Sequence, residues 1–568
     1  MATLKTITEN LNSLRSAFGA DIATQKKQLL DNLNEGNFSS NYHDLIACHE
    51  QLLFLLTYPD NKQVLKLAQK TLTEISEHLE VLASSAPQKF HTKFKGTGIA
   101  HSEVGWNPSY DACCWLVKCF GADVSLVWSD EFMEKLGPFI TAFADALEQD
   151  GLVDNRFDVK DWLMMASGSN DGADGKDLQW LLRHFENLKC DVKTRDLLFE
   201  TLAIEIILKL NSSTLSRTGN ILKNPKPFFQ SDGLLKSFDS FSKINEPLKS
   251  FKEIRGIARK IILNSSKSVL VARERETDPV FYAQKIYLAE VERGLDVYLF
   301  MMDKEHRLPV ENYAGFVAYR NGVPIGYGGG WMFIERCEIG VNIFETFRGG
   351  ENNLIFTNIM RVYNQVFDVS RFVVPPYQFG EDNEEGLQSG AFWFYYKLGY
   401  RPADTKIRAM AEKEWTKITT KKGYRSAISI LKKFTECPLE FTHKKSQFHF
   451  EPKQMSVAFT NYVAQKFNGN QTLANAWSMN ILKTFAGVEN YKKWPVTEKH
   501  TFNYLSILIA SLPSNFSKSE QQSIVNLFRK KGSDELAFSK ELKHEVKFLK
   551  AVEEFIKKYD YKERESNL

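Results

Sequence analysis

The chain has 568 residues, 43% of them hydrophobic and 25% charged, with a formal net charge of +3. That composition excludes wholesale disorder, a collagen-like repeat and a disulfide scaffold, and a chain this long outgrows one hydrophobic core, so about three domains are expected. The charge is unevenly spread: residues 406–568 hold 29 Lys+Arg against 17 Asp+Glu, about +12, which leaves about −9 on residues 1–405. A basic C-terminal third suits an acidic partner such as RNA or a nucleotide-bearing substrate, while a solvated lysine-rich helical surface is the plainer reading.

The first ten residues mix polar and apolar side chains and contain no hydrophobic h-region. The apolar stretch at 505–512 is far shorter than the ~18 residues that suggest a membrane span. A cytoplasmic location and no membrane partner are expected. Seven cysteines, an odd number with no CxxC, read as reduced core thiols. The eleven histidines are scattered, and no metal site is expected.

In chain order, residues 1–215 read as a helical domain. Val64, Ala68, Leu72, Ile75, Leu79 and Leu82 recur at steps of three and four, one face of a helix. Helical patterns return at 132–147 and 197–210. The acidic, glycine-rich segment 167–177 fits neither register of a calcium loop and reads as a surface loop. Residues 216–250 read as a linker, since 211–233 is rich in Ser, Asn, Pro and Gly.

From 251 to 405 the period changes. Residues 296–302, 313–320 and 323–333 read as strands, with Asn321-Gly322 as a hairpin turn, because both turn positions need positive φ. Residues 335–344 form a further strand. Arg348-Gly349-Gly350 then opens a helix apolar on two faces, followed by a strand at 372–374 and an aromatic helix at 390–398. The first strand of this unit is left open between 268–272 and 296–302. From 406 to 568 the pattern is helical again, and the clearest helix is expected to start with Ser533 as its N-cap.

Two segments in this middle region carry a resemblance. Residues 343–350, Ile-Phe-Glu-Thr-Phe-Arg-Gly-Gly, join a strand to a helix through a glycine turn, where small residues let backbone amides approach a phosphate and the helix N-terminus adds positive potential. Residues 388–400 place Ala391, Tyr395, Gly399 and Tyr400 in a N-x-x-A-x-x-x-Y-x-x-x-G-F pattern, with Gln388 at its first position. Together they resemble the GNAT superfamily (Gcn5-related N-acetyltransferases) over roughly residues 265–405. The resemblance implies an α+β, multi-domain chain: a central GNAT-like mixed sheet with helices on both faces, flanked by all-α regions at both ends.

It also implies acetyl-CoA or another acyl-CoA as donor, held by Ile343, Arg348, Gly349, Gly350, Asn352, Asn353 and Gln388. Tyr395 would be the general acid toward the leaving thiolate, and Glu338 the general base toward an amine acceptor, with Glu335 and Glu345 as rivals. In the family this loop reads R-x-x-G-x-G/A, and counted from Arg348 the two glycine positions here are Glu351 and Asn353. A carboxylate ~4–5 Å from a phosphate costs about 3–4 kcal/mol at an effective dielectric of ~20, unless it points away. The acidic insertion 377–388, with Asp382, Glu384 and Glu385, would select a cationic or amine acceptor. Gly328-Gly329-Gly330 would bend a strand or admit a substrate backbone. Two other readings stay open. One is an aminoacyl-tRNA donor in place of coenzyme A, with Lys421, Lys422, Arg425, Lys432 and Lys433 facing the RNA. The other is a non-catalytic interaction or scaffold protein on the same fold.

Overall fold

Alternation of apolar and polar residues, with β-branched and aromatic side chains enriched, makes residues 283–343 a run of five strands rather than helices. In the computed structural model these belong to one nine-stranded mixed sheet. The structure describes all residues except 1–2, 34–37, 39–40, 154–157, 170–173, 213, 225, 445–446, 514 and 561–568. The middle of the expected acidic loop 167–177 therefore lies outside the described residues.

The strands are β1 (Ser250–Ile254), β2 (Ala283–Glu290), β3 (Leu295–Met302), β4 (Asn312–Arg320), β5 (Val323–Phe333), β6 (Arg336–Ile343), β7 (Arg371–Val374), β8 (Arg401–Pro402) and β9 (Leu439–Thr442). Their order across the sheet is β8-β9-β7-β6-β5-β4-β3-β2-β1. Every neighbouring pair is antiparallel except β6 and β7, which run parallel. The β4–β5 turn is at Asn321-Gly322, with φ of 50° and 82°, as its chemistry requires.

The helices that matter for the site are α1 (Tyr42–Thr57), α2 (Gly256–Val271), α3 (Asn352–Phe367), α4 (Glu384–Ser389), α5 (Ala391–Lys397), α6 (Thr405–Thr420) and α7 (Ile428–Phe434). In α3, 12 of 16 residues are buried, so it is covered on both of its apolar faces.

Several expectations need correction. Residues 268–272 end helix α2 rather than forming a strand, and the sheet begins earlier, at β1. The stretch 197–210 is not one helix: Val192–Thr201 ends, Ala203 turns with φ 48°, and β-branched Ile206-Ile207 start a strand. That strand, Ile206–Lys209, lies between Glu103–Trp106 and Val124–Leu126 in a small antiparallel sheet inside the N-terminal region. Ser533 ends a helix, Lys518–Ser533, and Asp534 caps the next, Glu535–Leu542. The expected boundary at 405 falls inside the sheet, because β9 inserts between β7 and β8 only after α6 and α7.

The expected linker 216–250 is a packed strap. Ser216, Thr218, Asn220 and Gln230 are buried, and the backbone N–H of Leu222 donates to the carbonyl of Gly322 at 2.9 Å. Two hydrophobic cores result. One runs from Leu4 to Phe441 and joins the N-terminal region to the sheet. The other holds residues 448–559 and touches the sheet through Phe333 and Ile334. No helix among the described residues is long and apolar enough to cross a membrane.

Candidate functional site

The parallel pair β6–β7 is short. Its register runs only from Arg336 opposite Arg371 to Glu338 opposite Val373. Beyond that point β6 continues to Ile343 while β7 stops at Val374, so the sheet opens. A cleft of about 850 Å³ occupies the opening. Ile343, Arg348, Asn352 and Tyr395 line it, brought together from the strand end, the glycine turn, the start of α3 and the middle of α5.

The turn is held from beneath by the N-terminal region. Arg15 donates through Nη2 to the carbonyl of Thr346 at 2.6 Å and to that of Arg348 at 3.3 Å. Arg217 of the strap donates to the hydroxyl of Thr346 at 3.0 Å and to both oxygens of Glu50 on α1 at 2.7–2.8 Å. Thr346 also donates to Glu50. Burial alone would raise the Glu50 carboxyl, but Arg217, aided by His49 and Thr346, holds it well below the ordinary range. Gly350 is glycine because a Cβ there would lie 2.5 Å from the Tyr58 hydroxyl.

Glu351 turns away from the cleft. It is buried and paired with Arg320, also buried, and with Arg293 at 2.8 Å. It also accepts from the backbone N–H of Leu235 at 2.7 Å. The guanidinium of Arg320 lies over the Tyr58 ring at 4.5 Å. The carboxylate therefore neutralises the buried Arg320 and the half-buried Arg293 and leaves the turn free of like-charge repulsion.

Tyr395 is buried among Phe356, Phe379 and Tyr400, and burial pushes its phenol up, so it stays protonated. Asn352 has a buried Oδ1 with no hydrogen-bond partner. Arg348 is half-exposed and pairs at 3.0 Å with Glu385 of α4, so the acidic insertion lies at the cleft mouth.

The remaining expected residues are less well placed. Glu338 shares a strand face with cleft-lining Gly340 and Asn342 but is outside the wall, and Arg336 holds it at 2.7 Å. Its rival Glu335 accepts from the backbone of Gln447, and Glu345 is exposed. Gly349 is exposed with φ 89° and open space around it. Asn353 is in the first turn of α3 and outside the wall. Gln388 is exposed and donates to Glu384 at 2.7 Å. Gly328 and Gly329 line the cleft, and the run is closely packed by its neighbours: a Cβ on Gly328 would lie 2.0 Å from the carbonyl of Gly340, one on Gly329 2.6 Å from Tyr313, and one on Gly330 2.6 Å from Tyr363.

The far wall was not expected from sequence. Tyr313 and Trp331 stack there at 4.1 Å beside Tyr327, Arg275 and Thr277, whose Oγ1 is buried and unpartnered. The only sequence signal was aromatic residues alternating with glycine on β4 and β5. Arg15, Glu50 and Arg217 had no signal at all.

All seven cysteines are free. Cys48, Cys113, Cys337 and Cys437 are buried, while Cys119 and Cys190 are exposed. Among the described residues no cluster of three His, Cys, Asp or Glu side chains is placed to hold a metal. No protein-family model matches the chain, and neither a curated protein nor a solved structure matches it.

Proposed function

We propose that the chain is an N-acyltransferase that takes an acyl-CoA, acetyl-CoA in the simplest case, into the β6–β7 cleft and passes the acyl group to an amine. The observation that carries this reading is the convergence of Ile343, Arg348, Asn352 and Tyr395 on one cleft at a break in the sheet. The inward turn of Glu351 supports it too, because the main electrostatic objection to a phosphate at this turn falls away.

The chemistry is direct transfer. The amine lone pair attacks the thioester carbonyl, the C–N bond forms, and collapse of the tetrahedral centre breaks the C–S bond. The departing thiolate takes the phenolic proton of Tyr395, and the proton left on the newly acylated nitrogen passes back to the phenolate, whose neutral form burial favours. The ammonium proton must leave before attack. Glu338 is the nearest carboxylate on the cleft-facing side of β6, and with Arg336 attached it would act through water.

Acetyl-CoA titrated into the protein by calorimetry tests the reading. Binding is expected in the micromolar range, weakened about tenfold or more in Arg348→Ala through loss of a charge-assisted contact. Tyr395→Phe is expected to keep binding and lose about 10²-fold in turnover. Absence of binding by the wild type sinks the proposal. One observation favours a non-catalytic protein on the same fold: the tethering of Glu338 by Arg336. Binding with no turnover across an amine panel, unchanged in Glu338→Gln, selects that alternative.

A further inference from the structure

The positive charge of the C-terminal third is concentrated beside the cleft. Residues 397–433 hold eleven Lys+Arg against three Asp+Glu. Two of the three acids are already committed. Asp404 caps α6 by accepting from the N–H groups of Lys406 and Ile407, and Glu414 is buried against Lys417, Tyr424 and Ser426. Lys421, Lys422, Arg425, Lys432 and Lys433 are exposed and form no ion pair among the described residues. All five fall within the α6–α7 turn and the short helix α7.

These helices are built on the back of α5, which carries Tyr395 into the cleft. Phe434 of α7 lies 4.4 Å from Phe392, and Trp415 of α6 stacks on Trp393 at 5.6 Å. Trp393, Trp415 and Tyr424 remain partly exposed among the cations. Among the described residues of this stretch no large hydrophobic side chain is exposed, so the surface has nothing to insert into a bilayer. Unpaired cations interleaved with partly exposed flat rings are the combination that tracks a phosphate backbone and stacks bases.

We infer that the α6–α7 turn and the exposed face of α7, packed against α5, form a docking surface for single-stranded RNA. The face is read from charge and packing, and stands whether or not the cleft takes an acyl-CoA.

The test is fluorescence anisotropy of a labelled single-stranded RNA of about 20 nucleotides, long enough for several phosphate contacts, over a salt series. The full-length protein is compared with the combined variant Lys421→Glu, Lys422→Glu, Lys432→Glu, Lys433→Glu and with a control, Lys492→Glu, Lys493→Glu, whose lysines are exposed on the C-terminal bundle. Expected are salt-dependent binding by the wild type and the control, and in the four-site variant a loss of tenfold or more with a salt slope flatter by about 3. Thermal melting and acetyl-CoA titration run alongside, so that misfolding or failure of the cleft reading is seen separately. No binding, equal loss in the control, an unchanged four-site variant, or binding to phosphatidylserine vesicles with none to RNA overturns the inference.

Discussion

The two ends of the chain relate to the sheet in opposite ways. The N-terminal region shares one continuous core with the sheet, and it supplies Arg15, Glu50 and Tyr58 beneath the turn at the cleft. The C-terminal bundle has a separate core that takes in only Phe333 and Ile334 at the end of β5, and it is further anchored at the start of β4 by polar contacts. There Lys531, fully buried, pairs with Glu535 and donates to Asn312, and Arg307 donates to the carbonyl of Gly532 at 2.9 Å. Both regions are helical and both touch the sheet, yet only the first contributes to the site. Contact with the sheet does not make a flanking region part of the site. What matters is whether the two are buried together and whether the flank supplies groups the site's backbone depends on.

The sharpest way to break the comparison is deletion. Removing residues 1–60 is expected to leave no cooperatively folded sheet, because a shared core cannot lose one wall and survive. Removing residues 447–568 is expected to leave a folded sheet with its cleft, measurable by thermal unfolding and acetyl-CoA titration. Equal loss in both truncations would erase the distinction.

Glu351→Gly comes next. The buried guanidinium of Arg320 and the half-buried one of Arg293 would lose their carboxylate, and about 3–5 kcal/mol of stability should go with it, seen as a lowered denaturant midpoint. A variant that stays as stable as wild type would show that the network is not what holds the turn.

The pH dependence tests another joint between the N-terminal region and the sheet. His306 hydrogen-bonds Asp196 of the N-terminal region at 3.0 Å and Asp303 at 2.7 Å. Burial alone would lower it, but the two carboxylates win and raise it to about 9. A raised histidine stabilises the folded state fully below its unfolded pKa of ~6.5 and loses that contribution as pH rises through the folded value. After allowance for partial exposure, about 1–3 kcal/mol should disappear between pH ~6.5 and ~9. His306→Gln should flatten that profile, as read from urea midpoints across pH.

The smallest effect expected is that of Arg15→Ala. Its lost hydrogen bonds should cost about 1–2 kcal/mol, appearing mainly as 5- to 30-fold weaker acetyl-CoA binding with little change in melting temperature. A large drop in melting temperature with unchanged affinity would make Arg15 a core-packing residue instead.

The order of elements from 296 to 398 was legible because period-two patterning, the Asn-Gly turn and the two-faced helix are local signals. Ile343, Arg348 and Tyr395 were reachable for the same reason, since each belongs to a short motif. The start of the sheet at β1 and its completion by β9 were not. Both strands are short, and β9 follows two helices that read like the start of a new domain. The fate of Glu351 was also hidden: its partners Arg293 and Arg320 are 58 and 31 residues away, and pairing at that range leaves no periodicity. Arg15 is 331 residues from Thr346, beyond any local pattern.

That separation has a consequence for how the protein is made. At about 5–20 residues per second, the ribosome needs roughly 15–70 seconds to go from Arg15 to its partner. During that time the N-terminal helices have been synthesised but the wall they pack against has not. Their apolar faces wait uncovered, a natural client for a holding chaperone. The C-terminal bundle follows the sheet off the ribosome, and the two sheet residues its core takes in, Phe333 and Ile334, are already made when it closes.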